Sequence, residues 1–145
     1  MFLGEFERTI DARGRMALAP SFHTLSGDGL ILTRGFDRCV QVFPRTTWHD
    51  LAQRVNRLPL GSDEARSLRR LLFSGAVEVE VDEQGTIAIP QNLRDYSDLS
   101  ERVVLAGLHT HFELWNYESW HTILEKMKEQ HATMSEEAEN DNTNI

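Results

Sequence analysis

Cysteine is nearly absent. Cys39 stands alone among 145 residues, which excludes an intrachain disulfide and a metal cage built from cysteines. Long apolar runs are missing too. None approaches the ~20 residues needed to cross a bilayer, so no membrane association is expected. The opening stretch Met1-Phe2-Leu3-Gly4-Glu5-Phe6-Glu7 carries no basic residue ahead of an apolar segment, so no secretory leader is expected and a reducing cytoplasm fits. Catalytic signatures are equally scarce. There is no phosphate-binding glycine loop ending in Lys-Ser/Thr, no paired-glycine dinucleotide turn and no Ser/His/Asp order. The expectation is a chain without enzymatic activity, cofactor, resident metal or small-molecule substrate.

Positive charge is also in deficit, with a net charge of −8. Read as one number, that argues against nucleic acid as a partner. Its distribution argues otherwise. Residues 1–73 hold 11 Arg against 8 Asp and Glu, a balance of +3, whereas residues 74–145 carry −11. Salt confines an exposed charge's field to roughly 10 Å, so an acidic chain can bind DNA through one basic face. The length suits one ordinary domain or two very small ones, with enough residues to bury a core.

Self-similarity organises the chain. Ile10-Asp11-Ala12-Arg13-Gly14-Arg15-Met16-Ala17-Leu18-Ala19 aligns with Val81-Asp82-Glu83-Gln84-Gly85-Thr86-Ile87-Ala88-Ile89-Pro90 at an offset of 71, and Phe22 falls on Leu93. Ile31 to Gly35 aligns with Val103 to Gly107 at an offset of 72. At that same offset Val40-Gln41-Val42-Phe43 aligns with Phe112-Glu113-Leu114-Trp115, and Trp48 with Trp120. Two units of about 45 residues are therefore present, one inserted residue separating the two blocks.

Each unit predicts the same elements. Val77-Glu78-Val79-Glu80-Val81 alternates with the period of a half-buried strand. Asp-x-x-Gly then predicts a tight hairpin with a bulge, since Asp favours the first turn position and Gly accepts positive φ. A short strand follows (Met16 to Leu18, Ile87 to Ile89), then a strand pair, then a helix. Thr46 or Thr47 is the expected cap of the first helix, with Trp48, Leu51, Val55 and Leu58 on one face; Trp120, Ile123, Leu124 and Met127 form the counterpart face. Between the units Ser62 caps a linking helix that turns Leu68, Leu71 and Leu72 inward. The expected division is 5–47 for the first unit, 48–75 for linking helices, 76–119 for the second unit, 120–134 for a C-terminal helix, and 135–145 for an acidic, disordered tail.

Four groups of residues are candidates for function. The loop 11–15 projects Arg13 and Arg15, with Arg8 on the preceding strand. A thin tip bearing guanidinium groups can enter a major groove, where arginine pairs bidentately with guanine; an ordinary surface hairpin with Asp11 paired to Arg15 is the bland alternative. Asp11 organises that hairpin and Gly14 permits its turn. Arg66, Arg69 and Arg70 share a helix face and could touch phosphate, pair across a subunit boundary or simply face solvent. His109, His111 and Glu113 alternate and would face one side of a strand, a weak metal pattern for which a surface strand is the simpler reading. Cys39 reads as a buried structural thiol, and Trp48, Trp115 and Trp120 as core aromatics.

Taken together, the start Met-Phe-x-Gly-Glu, the Asp-x-x-Gly-Arg turn, Thr33-Arg34-Gly35, the run from Arg66 to Gly75-Ala76, the second Asp-x-x-Gly and Glu113-Leu114-Trp115 resemble the MraZ family over about residues 1–130. That family is similar to the AbrB and SpoVT regulators, in which two chains swap hairpins to complete one barrel; in MraZ proteins both units lie in one chain. The resemblance implies a β-rich α+β fold of two pseudo-symmetric SpoVT-AbrB-like units, double-psi barrel-like, with packing helices. It also implies a closed homo-oligomeric ring that binds repeated boxes in double-stranded promoter DNA ahead of a cell-division and cell-wall gene cluster, mostly as a repressor, in the cytoplasm at the nucleoid. The family signature Asp-x-x-x-Arg falls on Asp11 and Arg15. In the second unit it meets Asp82 but Thr86, and Glu83 and Gln84 occupy the tip. The proline usual after each unit's second strand is Pro90 in one and is displaced to Pro20, after Ala19, in the other. The resemblance so modified implies DNA contact through Arg8, Arg13 and Arg15, with the second tip turned away from DNA. An AbrB-like antitoxin or protein-interaction module, with the acidic half as its surface, is the rival reading.

Overall fold

A computed structural model describes the backbone of residues 1–143 and the side chains of residues 1–132. The first unit comprises β1 (Glu5–Thr9), β2 (Arg15–Ala17), α1 (Pro20–Ser26), β3 (Gly29–Arg34), a 3₁₀ turn at Phe36–Arg38, β4 (Val40–Pro44) and α2 (Arg45–Asn56). After α3 (Asp63–Gly75), the order repeats as β5 (Val77–Glu80), β6 (Thr86–Ala88), α4 (Gln91–Ser97), β7 (Arg102–Gly107), β8 (Phe112–Asn116) and α5 (Tyr117–Thr143). The β-rich α+β class and the pseudo-symmetric duplication are both present. The expected disordered tail at 135–145 is corrected over most of its length, since the backbone of α5 continues as helix to Thr143; residues 144–145 lie outside the described residues. Among the described residues no helix is long and apolar enough to cross a membrane.

The large sheet has strand order β1-β7-β8-β4-β3-β5, all antiparallel, and a pseudo-twofold axis passes between β8 and β4. The first strand of each unit crosses over. β1 pairs with β7 of the second unit, Glu5 opposite Ala106, while β5 pairs with β3 of the first, Leu30 opposite Val79. A separate two-stranded ribbon joins β2 to β6, with Arg15 opposite Ala88 and Ala17 opposite Thr86.

This corrects the hairpin expectation. Asp-x-x-Gly does reverse the chain, but the strands it joins do not pair with each other. They enter different sheets, and only the Asp11 amide bonding the Arg15 carbonyl at 3.1 Å remains of a ladder. Local turn chemistry is the same for a hairpin and for such an arch. The pairing partner is set by which exchange buries more apolar surface, and that information is non-local.

The main core lies between the sheet, the ribbon, α1 and α4. It is lined symmetrically by Met16 and Ile87, and by Phe22 and Leu93, all buried. Phe22 meets Phe2, Phe6 and Phe112 at ring-centroid distances of 5.2, 5.2 and 4.8 Å. On the other face of the sheet, α5 covers Val104, Ala106 and Trp115 with Trp120, Ile123, Leu124 and Met127. Burial on both faces explains why Val103 to Ala106 reads as a continuous apolar run rather than an alternation.

Helix ends also differ from expectation in one place. Ser62 caps α3, accepting from the Ala65 amide at 3.2 Å. α2, however, begins at Arg45 behind Pro44, without a side-chain cap, so neither Thr46 nor Thr47 serves. The fixed φ of Pro44 preorganises that start. Leu72 is buried while Leu68 and Leu71 are only half-buried. At the other end of α3, Thr33 donates its hydroxyl to the Leu72 carbonyl, and Arg34 donates to the Leu71 carbonyl at 3.4 Å. The Thr33-Arg34 motif thus satisfies carbonyls the helix leaves open.

Phe22→Ala removes a ring from the centre of the aromatic cluster and is expected to cost about 3–5 kcal/mol; urea denaturation followed by near-ultraviolet circular dichroism would measure it.

Candidate nucleic-acid interface

The turn at residues 11–15 is built around one carboxylate. Asp11 Oδ1 accepts the Arg13 and Arg15 amides, each at 2.9 Å, and the Gly14 amide donates to the Asp11 carbonyl at 3.0 Å. The Arg15 amide foremost, with the Arg13 amide and both guanidinium charges acting in the same direction, holds the Asp11 carboxyl below the usual carboxylate range. Gly14 has φ +81° and is buried. An ideal Cβ there would sit 2.5 Å from the Ile89 carbonyl oxygen and 2.7 Å from Arg94 Nε, so no other residue fits without displacement. Arg13 and Arg15 are both exposed.

The second turn copies the first. Asp82 Oδ1 accepts the Gln84 and Thr86 amides at 3.0 and 2.8 Å, and Gly85 has φ +79°. The two turns lie at opposite ends of the β2–β6 ribbon. Met16 and Ile87 point into the core, so Arg15, Ala17, Thr86 and Ala88 form the outer face. Three residue pairs at ~3.4 Å rise put the turns only ~10 Å apart. The second tip is therefore not turned away behind the body of the protein, as the sequence suggests, but shares the ribbon with the first. Ala17 and Ala88 raise nothing taller than a methyl between Arg15 and Thr86. The alternation around Met16 and Ile87 signals these two positions, but only the cross-unit pairing assembles them into one surface.

Arg15 reaches along this face to the second unit, its Nη2 lying 3.5 Å from Asp82 Oδ2, with both side chains substantially exposed. The bland expectation of an Asp11–Arg15 side-chain pair is thus replaced: Asp11 takes the Arg15 amide, and Asp82 takes its guanidinium. Arg8 is half-buried, donates to the Glu7 carbonyl at 2.9 Å and sits 6.0 Å from the Phe6 ring centre.

The remaining candidates disperse. Arg66 is tied to its own helix start, donating to the Leu60 carbonyl at 2.7 Å and pairing with Asp63. Arg69 is half-buried and Arg70 exposed. His109 lies in a turn at φ 74°, and His111 precedes β8 and stacks on Phe43 at 4.6 Å; burial lowers its pKa. Glu113 accepts from Trp115 Nε1 at 3.0 Å and from Cys39 Sγ at 3.3 Å. The expectation that the three alternate on one strand is therefore wrong, because the chain reverses at His109 and Thr110, where the Leu108 amide donates to the His111 carbonyl at 2.8 Å and His109 takes a positive φ. Among the described residues no group of three or more His, Cys, Asp or Glu is placed to hold a metal. Cys39 is buried, and burial together with Glu113 pushes its thiol pKa up, as befits a structural thiol.

Two crossed-over units in one chain, each opening on an Asp-x-x-Gly turn, define a duplicated AbrB-like α+β protein. The sequence matches the family described as "MraZ protein, putative antitoxin-like" twice, over residues 1–71 and 72–143. It is 50% identical to the transcriptional regulator MraZ of Roseiflexus castenholzii over 88% of this chain and 89% of that protein. It is 40% identical to the transcriptional regulator MraZ of Herpetosiphon aurantiacus over 94% and 95% of the two chains. The chain belongs to the MraZ family.

Gly14→Ala forces a Cβ against the Ile89 carbonyl at positive φ and is expected to destabilise the fold by about 1–3 kcal/mol. Gly27→Ala, also at positive φ but with nothing within 4 Å of its Cβ, is the milder comparison by thermal melting.

Proposed function

We propose that this chain is a DNA-binding transcriptional regulator without catalytic activity, acting at the nucleoid as a homo-oligomeric ring. It reads repeated boxes in the promoter of a cell-division and cell-wall gene cluster and represses it. The observation that carries the reading is the Arg15 guanidinium on the outer face of a two-stranded ribbon, beside an exposed Arg13 and two alanines. A major groove about 12 Å wide admits a two-stranded ribbon, and an arginine there pairs with the O6 and N7 of guanine. The names of the MraZ relatives support the same class of activity. Contact is uneven: Arg13 and Arg15 make the base and phosphate contacts, with Arg8 assisting. Arg69 and Arg70 lie off the ribbon, on α3, and are assigned to subunit or phosphate contacts. The antitoxin-like wording of the family description favours a protein-binding alternative, in which the purified chain shifts no DNA and captures a basic protein partner.

Arg15→Ala is expected to weaken binding to DNA taken from immediately upstream of the gene by about 1–3 kcal/mol per contact while leaving the assembly intact. Fluorescence anisotropy at two salt concentrations measures this, and wild-type affinity in a folded variant would sink the assignment. In the same titrations Thr86→Arg with Glu83→Lys should tighten nonspecific binding and steepen its salt dependence, because the second turn lies near the duplex reached by the first.

Light scattering behind a sizing column should give a mass well above a dimer. A monomer near 17 kDa at micromolar concentration would refute the ring.

A further inference from the structure

The two turns are copies, yet what lies beneath them differs. Under Gly85 of the second turn packs the ring of His23, its Nδ1 2.7 Å from an ideal Cβ. Under Gly14 of the first turn packs Arg94, the residue that aligns with His23. Arg94 Nε donates to the Ile89 carbonyl at 2.9 Å and its Nη1 to the Ala12 carbonyl at 3.4 Å. One guanidinium fork therefore ties the crown of the first turn to the end of β6, beside the Ile89 amide that already donates to the Gly14 carbonyl at 2.8 Å. A second cross-unit contact acts on the arginine itself. Asp82 holds its own turn through Oδ1 and presents Oδ2 to Arg15. The pseudo-equivalent pair, Asp11 with residue 86, cannot form because Thr86 lacks the reach.

We propose that Arg94 and Asp82, both in the second unit, are positioning residues for the DNA-reading turn of the first. Arg94 fixes the backbone from which Arg13 and Arg15 project, and Asp82 orients the Arg15 guanidinium along the ribbon. The second unit thereby acts in recognition without itself supplying an arginine at its tip. The inference rests on the DNA-binding reading above and adds to it the source of the tip's geometry.

Charge alone forecasts tighter binding with an unchanged preference, which separates it from this proposal. Removing Asp82's carboxylate from the DNA face tightens binding to every sequence by simple electrostatics. Asp82→Asn is isosteric and keeps the Oδ1 acceptor for Gln84 and Thr86. Arg94→Lys keeps the cation but cannot hold two carbonyls in one fork. Wild type, Arg15→Ala, Asp82→Asn and Arg94→Lys are titrated by anisotropy against the upstream duplex and a scrambled duplex. Hydrogen exchange by mass spectrometry is followed over residues 8–19. The expected result is a fall of roughly fivefold in the preference for the upstream duplex in Asp82→Asn, the scale of one half-exposed ion pair. Arg94→Lys should show a similar or larger fall together with faster exchange across the turn. Asp82→Asn, which leaves the turn's hydrogen bonds in place, remains decisive if Arg94→Lys weakens the fold. Preferences equal to wild type in both variants, with Arg15→Ala still losing its preference, overturn this inference alone. No preference in the wild type overturns the DNA reading, and this inference with it.

Discussion

Everything in this molecule depends on the exchange of first strands between its two units. β1 hydrogen-bonds to β7 and β5 to β3, so neither unit owns the strand that completes its part of the sheet. Separated, each unit would expose an unpaired edge and the inner face of its short second strand, a poor state for so few residues. Joined, they share one core in which Met16 faces the same interior as Ile87, and Phe22 the same interior as Leu93. The covalent link through α2 and α3 makes the exchange intramolecular, so its closure entropy grows only slowly with the linker's length.

The exchange also creates the site. A hairpin would have sent β2 back along β1 and left each Asp-x-x-Gly turn as an isolated tip. Because β1 leaves for the large sheet, β2 is free to pair with β6, and the two turns become the ends of one ribbon. The Gly14 carbonyl accepts from Ile89, the Gly85 carbonyl accepts from Leu18, and each turn is thus anchored on the other unit's strand end. The presentation of Arg15 inherits this dependence. A substitution in residues 82–94 can alter how Arg15 is presented without touching the first unit's sequence.

Much of this was legible in the sequence, for identifiable reasons. The repeat declared itself through Asp, Gly and apolar positions that local backbone chemistry requires, and the alternation of Val77 to Val81 marked a strand wherever it paired. Ser62 gave the start of α3 because capping is local. Four features were not legible. The hairpin reading failed because turn residues specify a reversal and not a partner. The His109/His111/Glu113 alternation failed because one positive-φ residue in the β7–β8 connection breaks the period. Thr46 and Thr47 failed as caps because Pro44 already fixed the start of α2. The role of Arg94 left no local signal: it sits in a short helix, 82 residues from the carbonyl it holds.

The charge around the ribbon decides what kind of DNA recognition it can support. Arg13, Arg15 and Arg94 cluster with Asp11, Asp82 and Glu83, so the neighbourhood is close to neutral despite its arginines. Counterion release grows with the number of phosphates neutralised, and a neutral patch releases few. Such a surface cannot bind tightly as a general cation, and its discrimination must come from where individual guanidinium groups point. Both aspartates serve that end. Asp11 Oδ1 accepts two backbone amides, and Asp82 divides its oxygens between amides and Arg15. A weak but geometrically strict contact gains most from repetition, because linked copies bind repeated boxes at high effective concentration while each single contact stays too weak to hold the wrong sequence. A near-neutral ribbon and the proposed assembly are physically consistent with one another: where each copy binds weakly, the number of copies and the spacing of their contacts add to discrimination.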